Sequence, residues 1–235
     1  MDTEIVKLFE RAFAPKDRSD ADLKSLTEDA SRLWNRIQAL LKNGLISVKI
    51  EEEVVKLACL MLQLPDRNHK SNGNGKPHRS TFKDRVQKAI DYLVTAETRN
   101  AATAEAALRN RRSNIQSDAS DITMELFHPT AKLLRQLLEK RPATDEAKLL
   151  LDAINLDDFG ISGLILYAMN QAKNHGGLSK VNEGFSKRDQ YGYWEVMLKD
   201  GFHFEYVRRI AQHRLEHARQ MAALLADEIR EDHLL

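Results

Sequence analysis

The chain has 235 residues, of which 42% are hydrophobic and 30% are charged. These values are expected of a soluble globular protein that is long enough to bury a sizeable apolar core. The 36 basic and 35 acidic side chains nearly cancel, so bulk charge gives no attraction to nucleic acid or to an anionic membrane.

Helical periodicity dominates the first part of the chain. It predicts helices over residues 4–13, about 23–41 and about 50–64, and the second of these carries apolar residues at spacings of three and four. That stripe consists of Leu26, Ala30, Leu33, Ile37, Leu40 and Leu41. Residues 66–80 are polar, contain glycine and lack periodicity, which predicts a flexible loop inserted within one helical domain.

The same period continues in the rest of the chain, where Thr144 is predicted to cap the start of a helix. Helices are expected at about 80–95, 126–139 and 204–229, and from Thr144 to Ala172 with Gly160 and Gly163 punctuating the run. No strand pattern, internal repeat or heptad array is visible. The sequence therefore predicts an all-α protein that forms a single domain over residues 1–235.

Cys59 is the only cysteine, and it lies within an apolar run where a buried packing role is expected. A single cysteine excludes an internal disulfide and a cysteine-rich zinc site. No basic and apolar signal sequence is seen at the N-terminus, and no stretch approaches the roughly 20 apolar residues that span a bilayer. We therefore expect a cytoplasmic protein with no membrane segment.

Residues 146–163 have the sequence EAKLLLDAINLDDFGISG. This segment resembles the last metal-binding helix of the HD-domain metal-dependent phosphohydrolases, in which an Ala-Asp pair is followed by a Leu-Asp pair and a glycine. The helix around Arg32 resembles the one that carries the first family histidine, and residues 57–64 resemble the helix that ends in the family's His-Asp doublet. The resemblance covers most of the chain, residues 23–225, and implies an HD-domain-like helical bundle.

The positions that hold the metals in this family carry other residues here. Asp29 stands in place of the first histidine, and Ile154 stands in place of the late aspartate. Leu62 and Gln63 replace the His-Asp doublet. Leucine and isoleucine have no electron pair to donate to a cation, and glutamine is a poor substitute for a carboxylate. The resemblance therefore implies a catalytic fold in which the usual metal site is lost.

Several polar residues are candidates for ligand binding, namely His78, His128, Lys148, Asp152 and Asp157. By the resemblance, His78 stands where family members often have further active-site histidines, and Asp157 matches a carboxylate that usually holds neighbouring helices together. The alternatives are a polar loop residue at position 78 and a helix-start residue at His128. Lys148 is one helical turn from Asp152, a spacing that favours a pair between them.

Two further patterns carry chemistry. Residues 213–217 match the H-x-x-E-H pattern of inverted zinc proteases, whose two histidines share one helix face in the geometry that chelates zinc. The alternative is a charged helix with its apolar stripe on another face. Aromatic residues 191, 193 and 194 follow a basic pair, Lys187 and Arg188, and are expected either to line a pocket or bind a base, or to belong to the core and its rim.

Three functions follow as hypotheses. The first is an HD-like protein without the usual metal site and without a cofactor, which binds a nucleotide, another phosphate-containing small molecule or a protein partner in a regulatory role. The second is an active phosphohydrolase with a divalent metal (Mn, Mg or Fe) on an unorthodox ligand set, His78, His128, Asp152 and Asp157. The third is a helical interaction or oligomerisation module, which leaves a homo-oligomer open.

Overall fold

The structure, a computed structural model, describes residues 3–13, 20–42, 44, 46–64, 81–109, 118–139, 141–173 and 176–232. Within these ranges every regular element is a helix and there is no strand, so the all-α fold class predicted from periodicity is confirmed. None of the helices in these ranges is long and apolar enough to cross a membrane. The loop predicted at 66–80, and His78 with it, lies outside the described residues.

Ten α-helices and one short 3-10 helix, Leu156–Asp158, follow one another in the described part of the chain. The α-helices are α1 Thr3–Phe13, α2 Asp20–Lys42, α3 Glu52–Met61, α4 Phe82–Arg109, α5 Asp118–Gln136, α6 Asp145–Asn155, α7 Gly160–Lys173, α8 Leu178–Gln190, α9 Tyr193–Asp200 and α10 Glu205–Asp232. They belong to two compact units, the first formed by Met1–Ala39 with Val48–Ala147 and the second by Leu40–Ser47 with Lys148–Leu235. The single domain over residues 1–235 stays a prediction.

The helices differ from the predicted ones in several places, and the run predicted from Thr144 to Ala172 is divided into α6, the 3-10 helix and α7. Helix α4 continues to Arg109, beyond the predicted end at residue 95, because residues 96–109 are rich in alanine, the strongest helix former. Helix α5 begins at Asp118 rather than at residue 126, so Pro129 lies inside the helix and not in its first turn. Periodicity does not predict α8, whose buried residues are only Val181 and Phe185.

Helix α3 lies in the core of the first unit and contacts α1 and α5. Seven of its ten residues are buried, because its sequence is apolar almost all round. Cys59 is among them, as expected. The backbone N–H of Glu51, at the start of the helix, donates a 2.6 Å hydrogen bond to Oε1 of Glu146. This bond satisfies a donor that the helix itself leaves unpaired.

Helix α4 packs against α5 and begins with a reciprocal cap. The backbone N–H of Thr81 donates to Oδ2 of Asp84 at 2.8 Å, and the N–H of Asp84 donates to the hydroxyl of Thr81 at 3.2 Å. This arrangement satisfies two donors at the helix start. The apolar residues Val86, Ala89, Ile90 and Leu93 recur at spacings of three and four and are all buried.

The second unit has an aromatic core. Helix α7 contacts α8 and α10, and α9 contacts the same two helices. The ring of Phe159 lies 5.2 Å from that of Trp194 and 5.3 Å from that of Phe202, both edge to face. Phe185, from α8, lies 5.6 Å from Trp194. Because aromatic pairs bury large areas, these four rings join α8, α9 and the segments before α7 and α10.

The turn between α6 and α7 needs its two glycines. Gly160 has a φ of +87°, in the region that favours glycine. At Gly163 a Cβ atom would lie 2.5 Å from the carbonyl oxygen of Asp158 and 2.8 Å from that of Asp157. The glycines that punctuate the sequence here therefore allow the 3-10 helix to pass directly against the first turn of α7.

Candidate functional site

Asp152, one of the candidates from the sequence, has well-defined hydrogen-bond partners in the structure. Its side chain is completely buried, and it faces the segment that precedes α10. The backbone N–H of His203 donates to Oδ1 at 2.9 Å, and the N–H of Phe204 donates to Oδ2 at 2.9 Å. The ring Nδ1 of His203 lies 2.8 Å from Oδ1. Both carboxylate oxygens are therefore used to hold the start of α10.

This arrangement is a helix cap supplied from a distant part of the chain. The first N–H groups of a helix lack partners within it, and a carboxylate placed there also opposes the positive end of the helix dipole. Asn155, one turn after Asp152, donates from Nδ2 to the carbonyl of Gly201 at 2.6 Å. Helix α6 thus fixes residues 201–204. Burial raises the pKa of Asp152, while the hydrogen bonds from Phe204 and His203 act in the opposite direction.

The four positions matched to the lost metal ligands have ordinary structural surroundings. Asp29 is exposed and pairs with Arg32 at 3.6 Å. Leu62 is buried as part of the core, and Gln63 is half-buried directly after it. Ile154 is half-buried on α6. The assignment of these four residues as degenerate metal positions therefore stays a prediction.

The remaining candidates lie on the surface or half-buried in their helices. His128 is exposed, with Nδ1 3.8 Å from a carboxylate oxygen of Glu97. Lys148 is half-buried on α6, and Asp157 is half-buried in the 3-10 helix. Lys148, Asp152 and Asp157 lie in one segment of the second unit, whereas His128 belongs to the first.

Residues of the described chain do not fit the metal centre that the resemblance implies. Within the described ranges no three imidazole, thiolate or carboxylate groups come together in an arrangement that could hold a metal ion. The side chains of Leu62 and Ile154 have no donor atom, and the oxygens of Asp152 already accept the backbone N–H groups of His203 and Phe204. The alternative ligand set includes His78, which lies outside these ranges, so the active phosphohydrolase also stays a prediction.

Arg188 is the most distinctive polar group of the second unit. Its guanidinium carbon lies 4.6 Å from the ring centre of Tyr167, 5.4 Å from that of Tyr193 and 5.8 Å from that of Trp194. These distances are those of cation–π contacts. Among the described residues no carboxylate lies within salt-bridge distance of this guanidinium, and its N–H groups donate to no protein acceptor. The cation is therefore positioned by three rings, and its N–H groups have no acceptor within the described ranges of the chain.

Gly184 makes this placement of Tyr167 feasible. Gly184 precedes Arg188 by one helical turn on α8, and a Cβ atom at this glycine would lie 1.9 Å from the hydroxyl of Tyr167. The ring of Tyr167 thus lies directly against the α8 backbone and beneath Arg188. On the other side, the hydroxyl of Tyr193 donates to Oδ2 of Asp158 at 2.9 Å, which fixes the second ring. The sequence indicated Tyr193, Trp194 and Arg188 together but gave no signal for Tyr167 or Gly184.

A separate groove lies between α8 and α10, with a volume of about 450 Å³. Arg219 lines it and donates from Nε to Oδ1 of Asp189 at 2.9 Å and from Nη2 to Oε1 of Glu195 at 2.9 Å. The hydrogen bond that Arg219 donates to Asp189 is the main cause that raises the pKa of Arg219. Since this arginine is already neutralised by two carboxylates, it joins α8, α9 and α10 rather than offering a free cation.

Comparisons with protein-family models, with curated proteins and with solved structures find no match to this chain. Its function is therefore argued from the geometry of its own side chains.

Proposed function

We propose that this chain is an HD-like helical protein that binds a nucleotide or another phosphate compound without hydrolysing it, and that Arg188 holds the phosphate. The observation that carries this proposal is the half-buried guanidinium fixed on three aromatic rings, with no acceptor for its N–H groups among the residues that the structure describes. A guanidinium presents its donors in a planar fork that matches two phosphate oxygens.

The aromatic contacts and the phosphate would use different parts of the same group. Rings contact the flat face of a guanidinium, whereas hydrogen bonds leave from its edge. The stack therefore reduces the motion of the side chain without using its donors, and less conformational entropy is lost when an anion binds.

Tyr191 favours a nucleotide over a simple phosphate. It follows Arg188 by three residues and is 77% exposed, which is unusual for a large aromatic side chain. An exposed ring can stack on a base, and such stacking contributes about 1–3 kcal/mol per base. The same surroundings also fit a smaller phosphate compound. The ligands in the screen below distinguish a nucleotide from such a compound.

We propose binding without hydrolysis because most of the side chains at the family's metal positions are poor ligands for a metal ion. A divalent metal makes a hydroxide nucleophile and polarises the phosphate in the family that the sequence resembles. Asp152 gives its oxygens to the start of α10, and Leu62 and Ile154 have no donor atom. Binding without turnover agrees with a regulatory role.

A thermal-shift screen in excess EDTA tests the proposal. Ligands are ATP, GTP, the corresponding nucleosides and inorganic phosphate, because these separate phosphate recognition from base recognition. A ligand present at about 100 times its Kd stabilises the native state by about 2.7 kcal/mol, so a nucleotide that binds is expected to raise the midpoint of thermal unfolding by roughly 5–10 °C.

Two variants test whether the nucleotide-dependent thermal shift requires Arg188. Arg188→Gln is expected to abolish the nucleotide-dependent shift, whatever it does to the midpoint without ligand. The matched control is Arg209→Gln, which removes the same charge from a side chain that is 75% exposed and paired with Glu205. An unchanged shift in Arg188→Gln contradicts the proposal. Manganese-dependent release of phosphate would instead support the phosphohydrolase, and a second protein that binds while no nucleotide does would support the interaction module.

A further inference from the structure

Two histidines of α10 form a pair on its solvent-facing side. His213 and His217 are one helical turn apart, and both side chains are exposed. Their ring centres lie 4.4 Å from each other, edge to face. The buried residues of the same stretch, Ala211, Leu215 and Ala218, point to the core, so the two imidazoles are free of the packed face of the helix.

We propose that His213 and His217 form a two-imidazole chelate for a divalent transition-metal ion such as Zn²⁺, Ni²⁺ or Cu²⁺. A ligand nitrogen lies about 2.0–2.1 Å from zinc, so two nitrogens on one tetrahedral ion are about 3.3 Å apart. Rings whose centres are 4.4 Å apart reach this spacing by rotation of exposed side chains. Neutral imidazole is a favoured ligand of these metals.

The site is open. No third imidazole, thiolate or carboxylate within the described ranges joins the pair in a ready-made metal centre. Glu216 is exposed and adjacent in sequence, but its carboxylate is not part of such a group. The remaining coordination positions of the ion would therefore be filled by water or by an external ligand. The pair resembles the inverted zinc proteases only in their first two ligands. None of its residues takes part in the proposed phosphate site.

Binding of such an ion stabilises α10. The two ligands are four residues apart on one helix, so the chelate forms only when that turn is helical. An ion that binds the native state and not the unfolded chain raises the stability of the native state. The consequence is a measurable link between metal concentration and unfolding, without any catalytic step.

The experiment titrates ZnCl₂ into the full chain by calorimetry and compares two proteins with equal numbers of histidines. The control carries His217→Ala together with Gln220→His, both at exposed positions. It places the imidazoles seven residues apart, about 10 Å along the helix axis, where one ion cannot reach both. All other histidines are identical in the two proteins, so their contribution cancels.

Wild-type protein is expected to have one zinc site that the spacing control lacks or binds roughly a hundredfold more weakly, because the second imidazole acts at a high effective concentration. Zinc is also expected to raise the midpoint of thermal unfolding in the wild-type protein and not in the control. Equal zinc affinity and equal thermal shifts in the two proteins would overturn the proposal. Circular dichroism verifies that both proteins are helical before the titration.

Discussion

The buried carboxylate of Asp152 receives both the backbone N–H of His203, at 2.9 Å, and the ring nitrogen Nδ1 of the same residue, at 2.8 Å. The two residues are 51 positions apart in sequence. The contact joins α6 to the start of α10, and it uses the aspartate that lies nearest to the family's metal position in the sequence. An aspartate that the phosphohydrolase hypothesis includes in its ligand set therefore caps a helix here.

Replacing Asp152 by alanine is expected to lower the free energy of unfolding by about 2–4 kcal/mol, because the half-buried backbone N–H groups of His203 and Phe204 lose their acceptor. Asp152→Asn keeps one oxygen acceptor and is expected to cost less. The measurement is denaturation in urea. Asp200→Ala, at an exposed residue, is the control and is expected to change the same quantity by less than about 0.5 kcal/mol. Similar effects at both positions would contradict the cap.

Gly163→Ala is expected to destabilise the protein by about 1–3 kcal/mol, since the new Cβ atom would overlap the backbone of Asp158 and backbone cannot yield as a side chain does. Gly177→Ala is the matched control. No atom lies within 4 Å of the position that its Cβ would take, and its φ of −86° suits any residue. We expect a change of about 0.5 kcal/mol there. Thermal unfolding of both variants measures the difference, and equal midpoints would count against the close approach.

Tyr193 is expected to titrate late. Burial raises its pKa to about 12, with additional effects from the charge of Asp158 and the hydrogen bond to it. Because the pKa is raised above its ordinary value of 10.0, the contribution of this tyrosine to stability is complete below pH 10 and is lost as the pH rises through about 12.

Phenolate absorbance measures that titration. Asp158→Asn is expected to lower the pKa of Tyr193 toward 10, because the charge that opposes ionisation is removed. Tyr193→Phe identifies which step of the titration belongs to this residue. A step at pH 12 that persists in Tyr193→Phe would show that another tyrosine is responsible.

Cys59 is expected to resist thiol reagents in the native protein. The side chain has no exposed surface, and burial raises the pKa of its thiol far above the usual range, so little reactive thiolate is accessible. Labelling of the native chain is expected to be at least roughly a thousandfold slower than labelling in urea, in line with a typical unfolding free energy. As the only cysteine, it reports on the first unit alone. Rapid labelling without denaturant would contradict the packing around α3.

The sequence correctly predicts helix stripes and caps, whose partners are close along the chain. The stripe of α2 is confirmed, because Leu26, Ala30, Leu33, Ile37 and Leu40 are all buried. The cap at Thr144 is confirmed as well, since its hydroxyl accepts the N–H of Ala147 at 3.3 Å. In both cases the partners lie within a few residues, where helix geometry alone fixes which side chains meet.

The candidate site depends on contacts that periodicity does not encode. Helix α8 carries Arg188 but buries so few residues that it has no apolar stripe to detect. Tyr167 contacts Arg188 from α7. From the sequence alone, Gly184 is expected only to weaken its helix. The packing of α7 on α8 explains the glycine, because a side chain at this position would overlap the ring of Tyr167. The partner of Asp152, likewise, is set by the position of α10.

The distribution of tryptophan has a practical consequence. The chain contains two, of which Trp34 is buried in the first unit and Trp194 in the second. Each compact unit therefore has its own intrinsic fluorophore, and Trp34→Phe or Trp194→Phe leaves an emission signal from one of them alone. Coincident denaturation curves from the two variants would mean that the halves of this chain melt as one cooperative body, and separated curves would mean that each melts by itself.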